Sequence, residues 1–206
     1  MPGNARFLLE GLVLGFSIAA PVGPIGLLCI RRSLQFGRLT GLATGIGAAT
    51  ADAVYGAIAG FGLTGVTTFM VGQQYWLTLL GALFLCWLGV RTVRAHPATA
   101  TEARSELPVR HAYLSALALT LTNPTTILTF VGAFAALGLA QSRGYLAATA
   151  LVVGVFSGSA LWWLILSALA ARLRSRVDAR WMQRVNWVSG AVLLGFGLYA
   201  LIDLRR

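Results

Sequence analysis

Six stretches of this chain are apolar over close to, or more than, the roughly 18–20 residues a helix needs to cross a bilayer. They cover residues 7–30, 39–63, 75–93, 112–140, 145–171 and 185–204. Soluble domains are about 25% charged, whereas this chain is 11% charged and 57% hydrophobic. Too few polar groups remain to solvate a globular surface. The expected fold class is an all-α integral membrane protein with six transmembrane helices. Residues 94–110 form the one real linker, with Pro97, Pro108, Glu102 and Glu106. It divides the chain into residues 1–93 and 111–206, three spans each. Arg6 and the apolar run after it look like a signal peptide, but Glu10 interrupts that run. The segment is therefore expected to stay as the first span.

The formal net charge of +10 comes from arginine, since no lysine is present. The arginines sit in short segments between apolar runs, which makes them topology signals rather than a nucleic-acid surface. If the spans alternate in direction, twelve of the sixteen arginines share the side of the connections after spans one, three and five. That side is expected to be cytoplasmic, in a bacterial inner membrane, with the linker on it and both termini outside. The basic segment 172–184 is expected to anchor that side. Its Trp181 leaves open a short helix lying in the lipid interface.

Two spans are interrupted. The first carries Ala20-Pro21-Val22-Gly23-Pro24-Ile25-Gly26, the second Thr122-Asn123-Pro124-Thr125-Thr126. Proline lacks the backbone donor and clashes with the preceding turn, and glycine gives up backbone order. Backbone groups freed in lipid must find partners in protein or in a watered cavity. Laying the second half over the first puts Gly23-Pro24 on Asn123-Pro124. Gly47, Ala51, Asp52 and Tyr55 then fall on Gly154, Gly158, Ser159 and Trp162, and Gly81-Ala82 on Gly190-Ala191. Three spans per half is an odd number, so the halves insert in opposite directions. This is the inverted-repeat plan of secondary transporters, with a site near the midplane at the two breaks.

Asp52 is the only acidic residue deep inside a span. Thirteen positions from Leu39 at about 1.5 Å each place it about 20 Å in. Such a carboxylate faces a cavity and marks an ion, proton or substrate path. Charged, it binds a substrate ammonium; protonated, it releases it, which makes Asp52 the proton-coupling candidate. The broken ends add N–H donors and C=O acceptors for the two ends of a zwitterion. The transport-site candidates are Pro21, Gly23, Pro24, Asp52, Tyr55, Thr122, Asn123, Pro124, Thr125 and Ser159. Tyr55 is one turn from Asp52 on the same face. Gly41/Gly45, Gly56/Gly60 and Gly154/Gly158 are small-residue pairs that let helices cross closely, within the protein first and at a homodimer face second. Cys29 and Cys86 have no disulfide or metal spacing, and His96 and His111 have no ligand partner at helical spacing. No metal, cofactor or catalytic constellation is expected, and the chain reads as a carrier, not an enzyme.

Pro21-Val22-Gly23-Pro24, followed by Arg31-Arg32-Ser33-Leu34 and Gly37, resembles the first span of the LysE/RhtB-type amino-acid exporters. The small residues leading to Asp52 and the pair Asn123-Pro124 are similar to that family too. The resemblance covers nearly the whole chain and is strongest over residues 19–62. It implies a six-helix carrier that exports amino acids or related small solutes, coupled to protons. By that likeness Pro21, Gly23, Pro24, Asp52, Asn123 and Pro124 are its functional positions. Thr125 and Thr126 stand where many relatives carry a charge, which opens neutral amino acids as substrates. A cation or metal exporter on the same fold and a thiol-redox carrier using Cys29 and Cys86 are the alternatives.

Overall fold

The computed structural model describes residues 2–21, 23–61, 69, 72–95, 107–123, 126, 129–130, 144–173 and 178–204. These residues form seven helices: α1 (Pro2–Ala19), α2 (Pro24–Phe36), α3 (Arg38–Gly60), α4 (Gln74–Val93), α5 (Val109–Leu121), α6 (Tyr145–Leu173) and α7 (Ala179–Asp203). α3, α4, α6 and α7 are each long and apolar enough to cross a membrane. Their outer faces expose apolar and aromatic side chains such as Leu80, Trp87, Leu169 and Trp187, as a lipid-facing surface requires.

The first expected span is a helix, a break and a second helix. Residues 4–19 and 24–36 pass the length and hydropathy test together but meet at an angle of 79°. Gly23 caps α2 in an extended conformation and Pro24 is its first residue, the helical position where a missing N–H costs nothing. α2 then passes into α3 through one residue, Gly37, whose φ of +98° suits glycine. α5 stops at Leu121, just before Asn123. Pro124 and Thr125 lie outside the described residues, as does much of the expected fourth span.

The basic segment 172–184 holds no separate interfacial helix among its described residues. α6 continues through Arg172 to Leu173. α7 begins at Ala179, where the Asp178 carboxylate accepts a 2.7 Å hydrogen bond from the Trp181 backbone N–H. An aspartate at this position satisfies one of the orphan donors of a helix start. It thereby draws Arg180, Trp181 and Arg184 into α7.

α1 packs on α6, α5 on α3, α3 crosses α6, and α4 packs on α7; α2 touches α3, α6 and α7. Lipid gives helices no hydrophobic reason to associate, so close approach through small residues matters. A Cβ at Gly154 would run into the Leu8 carbonyl, one at Gly158 into the Leu12 carbonyl, and one at Gly47 into the Tyr113 carbonyl. Gly56 and Gly60 face Val155 and Leu151 at ordinary contact distance, so these pairs pack α3 on α6. On α4 and α7 the close contact joins Gly89 to Gly190. Gly81, which aligns with Gly190 when the halves are overlaid, approaches the Thr122 carbonyl.

Candidate functional site

Asp52 sits on α3 where α3 crosses α6, and it is 4% exposed. It is about 21 Å along a helix about 34 Å long. The Ser159 hydroxyl on α6 donates to Asp52 Oδ2 at 2.7 Å, and Trp163 Nε1 donates to Ser159 Oγ at 3.1 Å. Ser159 and Trp163 are one turn apart on α6, so the indole fixes the hydroxyl that faces the carboxylate. A carboxylate has about four acceptor positions. The bond from Ser159 uses one, which leaves capacity for a proton or an ammonium.

Tyr55, one turn along α3, links Asp52's helix to the second break. Its hydroxyl donates to the Leu121 carbonyl at 2.7 Å. That carbonyl belongs to the last residue of α5, where the helix can no longer supply a donor. The Tyr55 ring packs on Phe130 with centroids 5.7 Å apart. Thr122 bonds back to the Ala118 carbonyl at 2.9 Å, the usual behaviour of a helical threonine. Asn123 N–H closes a turn on the Thr120 carbonyl at 3.1 Å.

The first break lies against the α3–α6 crossing. Ala19 and Ile25, on either side of it, share one packed cluster with Ala48, Ala49 and Trp163. Gly23 N–H bonds the Pro21 carbonyl at 2.9 Å, and the Leu27 N–H bonds the Gly23 carbonyl at 3.0 Å. Pro21 is exposed, and Gly23 and Pro24 are half-buried. The structure therefore brings Asp52 and Ser159 into direct contact. It joins Tyr55 to the end of α5 and sets the first break beside the same core.

Sequence reasoning missed the part played by Arg31 and Arg32, which it read as topology signals. Both are buried on α2. Arg31 Nε donates to Asn186 Oδ1 at 2.8 Å, and Asn186 Nδ2 donates to the Ala95 carbonyl at 3.2 Å. Arg32 Nη1 donates to Thr44 Oγ1 and to the Ala112 carbonyl, each at 3.0 Å, and Nη2 to Ser115 Oγ at 2.9 Å. The one available signal was helical continuity: α2 runs without a break from Pro24 past both arginines to Phe36. Cys29 is buried and its thiol donates to the Gly41 carbonyl at 3.4 Å, while Cys86 lies against Gly197 of α7. His96 is outside the described residues, and His111 is in the first turn of α5.

Comparison with known proteins adds the family pattern. The pattern described as LysE type translocator matches residues 16–204. The chain is 27% identical over 198 residues to "Putative amino acid efflux protein YcgF" of Bacillus subtilis, covering 94% of each chain. It is 30% identical over 203 residues to "Chemotactic transduction protein ChpE" of Pseudomonas aeruginosa, covering 95% of this chain and 98% of that one. It is 26% identical over 205 residues to "Putative amino-acid transporter YggA" of Aeromonas salmonicida, covering 92% and 93%. No solved structure matches it.

Proposed function

We propose that this chain, which belongs to the LysE type translocator family, exports an amino acid or a closely related small solute across the bacterial cytoplasmic membrane in exchange for protons. The observation that carries this reading is the Asp52 carboxylate, buried on a membrane-length helix with Ser159 as its hydrogen-bond donor. Burying a carboxylate at that depth is costly and is found where an ion or substrate passes. Relatives named for amino acid efflux and amino-acid transport support the solute class.

In this mechanism Asp52 holds the substrate ammonium when charged and lets it go when protonated. The broken ends at Pro21, Gly23 and Pro24 and at Thr122, Asn123, Pro124 and Thr125 supply backbone groups to the rest of the solute. Tyr55 and Ser159 line the path. The two units, residues 1–93 and 111–206, are inverted three-helix repeats that rock about residues 94–110. The linker is cytoplasmic and both termini face outward.

The packing supports the inverted repeat. Exchanging the halves turns the α1–α6 contact into the α5–α3 contact and leaves the α3–α6 and α4–α7 crossings in place. It also turns the approach of Gly89 to Leu194 into that of Gly190 to Val93, at the same sequence offset. Asp52 and Ser159, counterparts in the alignment of the halves, meet at the crossing itself.

Cells that express the protein and are loaded with dipeptides release the exported amino acid, which amino-acid analysis of the medium identifies. Asp52→Asn is expected to insert normally and to abolish release. Full release by correctly inserted Asp52→Asn would overturn the role given to Asp52.

A further inference from the structure

Arg31 and Arg32 are buried to 9% and 6% exposure in a chain that crosses a membrane. Among the described residues their acceptors are an amide, two hydroxyls and a backbone carbonyl, all neutral. Among the described residues the one ion pair is Arg6 with Glu10 on α1. Arg91 of α4 adds unfavourable like charge to both arginines. A buried cation is usually paired with an opposite charge. A guanidinium bonds a carboxylate through two parallel N–H groups, about twice as strongly as it bonds a neutral acceptor. The pair is thus held by acceptors that a carboxylate would outcompete.

The same bonds are structural ties. Arg32 fastens α2 to α3 through Thr44 and to α5 through Ala112 and Ser115. Arg31 fastens α2 to α7 through Asn186, which in turn holds the chain at Ala95. Ala95 is where the linker departs and Ala112 is just past where it returns. α2 is therefore tied to both halves at this one end.

We propose that Arg32, supported by Arg31, is a latch keyed to a carboxylate: the α-carboxylate of the exported amino acid takes the Arg32 fork and releases α2 from α3 and α5. The inference rests on the export reading and names the group the carrier reads. Thr44 and Asp52 lie on one face of α3, two turns and about 12 Å apart. The ammonium and carboxylate of an α-amino acid are only about 3 Å apart by covalent geometry. One molecule therefore cannot occupy both groups, and Arg32 and Asp52 are successive stations. The carboxylate is read at the first and the ammonium at the second.

Cys29 reports the latch. It lies one turn before Arg32 and Ser33, is 0% exposed, and donates to the Gly41 carbonyl across the α2–α3 contact. The test measures maleimide labelling of Cys29 in full-length Cys86→Ser protein in lipid nanodiscs. The probes are a mixture of the standard amino acids other than cysteine and the matching mixture of amino-acid amides. The acids are expected to speed labelling roughly tenfold, equivalent to ~1.4 kcal/mol, and the amides to leave it unchanged. Arg32→Gln should label fast with or without the acids, and Arg32→Lys should keep part of the response. Ser115→Ala, which removes one acceptor, should raise the unliganded rate while keeping the preference for acids. The proposal falls if acids and amides act alike, if the acids do nothing, or if both Arg32 variants keep the full preference. The export reading fails on a different result, namely that no amino acid leaves dipeptide-loaded cells.

Discussion

Ser159 Oγ donates a 2.7 Å hydrogen bond to Asp52 Oδ2, so one contact ties α3 to α6 at a buried carboxylate. Hydrogen bonds to charged groups contribute about 1.5–3 kcal/mol. Ser159→Ala is expected to lower efflux by roughly tenfold or more, ~1.4 kcal/mol per decade, with normal insertion. Trp163→Phe, which removes the donor to Ser159 and shrinks a buried ring, should have a smaller effect in the same direction. Efflux rates normalised to the inserted protein check both.

Tyr55→Phe keeps the ring against Phe130 but strips the donor from the Leu121 carbonyl. A buried acceptor left unpaired costs about 1–3 kcal/mol. The expected result is a lower melting temperature in detergent together with slower efflux. The variant disturbs the end of α5 while leaving the contact between Asp52 and Ser159 alone. An unchanged melting temperature would show that the carbonyl finds another donor.

Gly47 and Gly56 on α3 should respond oppositely to the same change. A Cβ at Gly47 collides with the Tyr113 carbonyl, whereas one at Gly56 meets Val155 at 3.6 Å, ordinary contact. Gly47→Ala is expected to destabilise by about 1–3 kcal/mol, the usual cost of overpacking. Gly56→Ala should be neutral or stabilising by up to ~1 kcal/mol through helix propensity. Thermal denaturation of the two variants side by side decides this.

Much of the helical framework was legible because lipid imposes a single length and composition on a span. The expected stretches 75–93 and 145–171 lie within α4 and α6 to within two residues at each end. The break at Pro21–Pro24 was legible because proline's missing donor has a local consequence. The contact between Asp52 and Ser159 was foreshadowed only as an alignment of the halves. Depth periodicity can place two residues at one level, but it cannot show that they touch. The interior role of Arg31 and Arg32 was hidden because their acceptors Asn186 and Ser115 are distant in sequence. No local pattern marks an arginine that turns inward. The start of α7 was misplaced because the Asp178 cap outweighs the charge of the segment around it. Apolar periodicity likewise could not single out Gly89 as the residue that meets Gly190, since one turn of an apolar helix looks like the next.

The angle of 79° between the helices flanking the first break has a mechanical consequence. α2 is a short arm, pivoted at Gly23, that carries Arg32 about 13.5 Å from its fulcrum. A swing of about 10° moves the guanidinium by about 2 Å. Hydrogen bonds that close at about 3 Å do not survive such a displacement. On the latch proposed above, the bend would gear a small rotation at Gly23 into the parting of three helices at the far end of the arm.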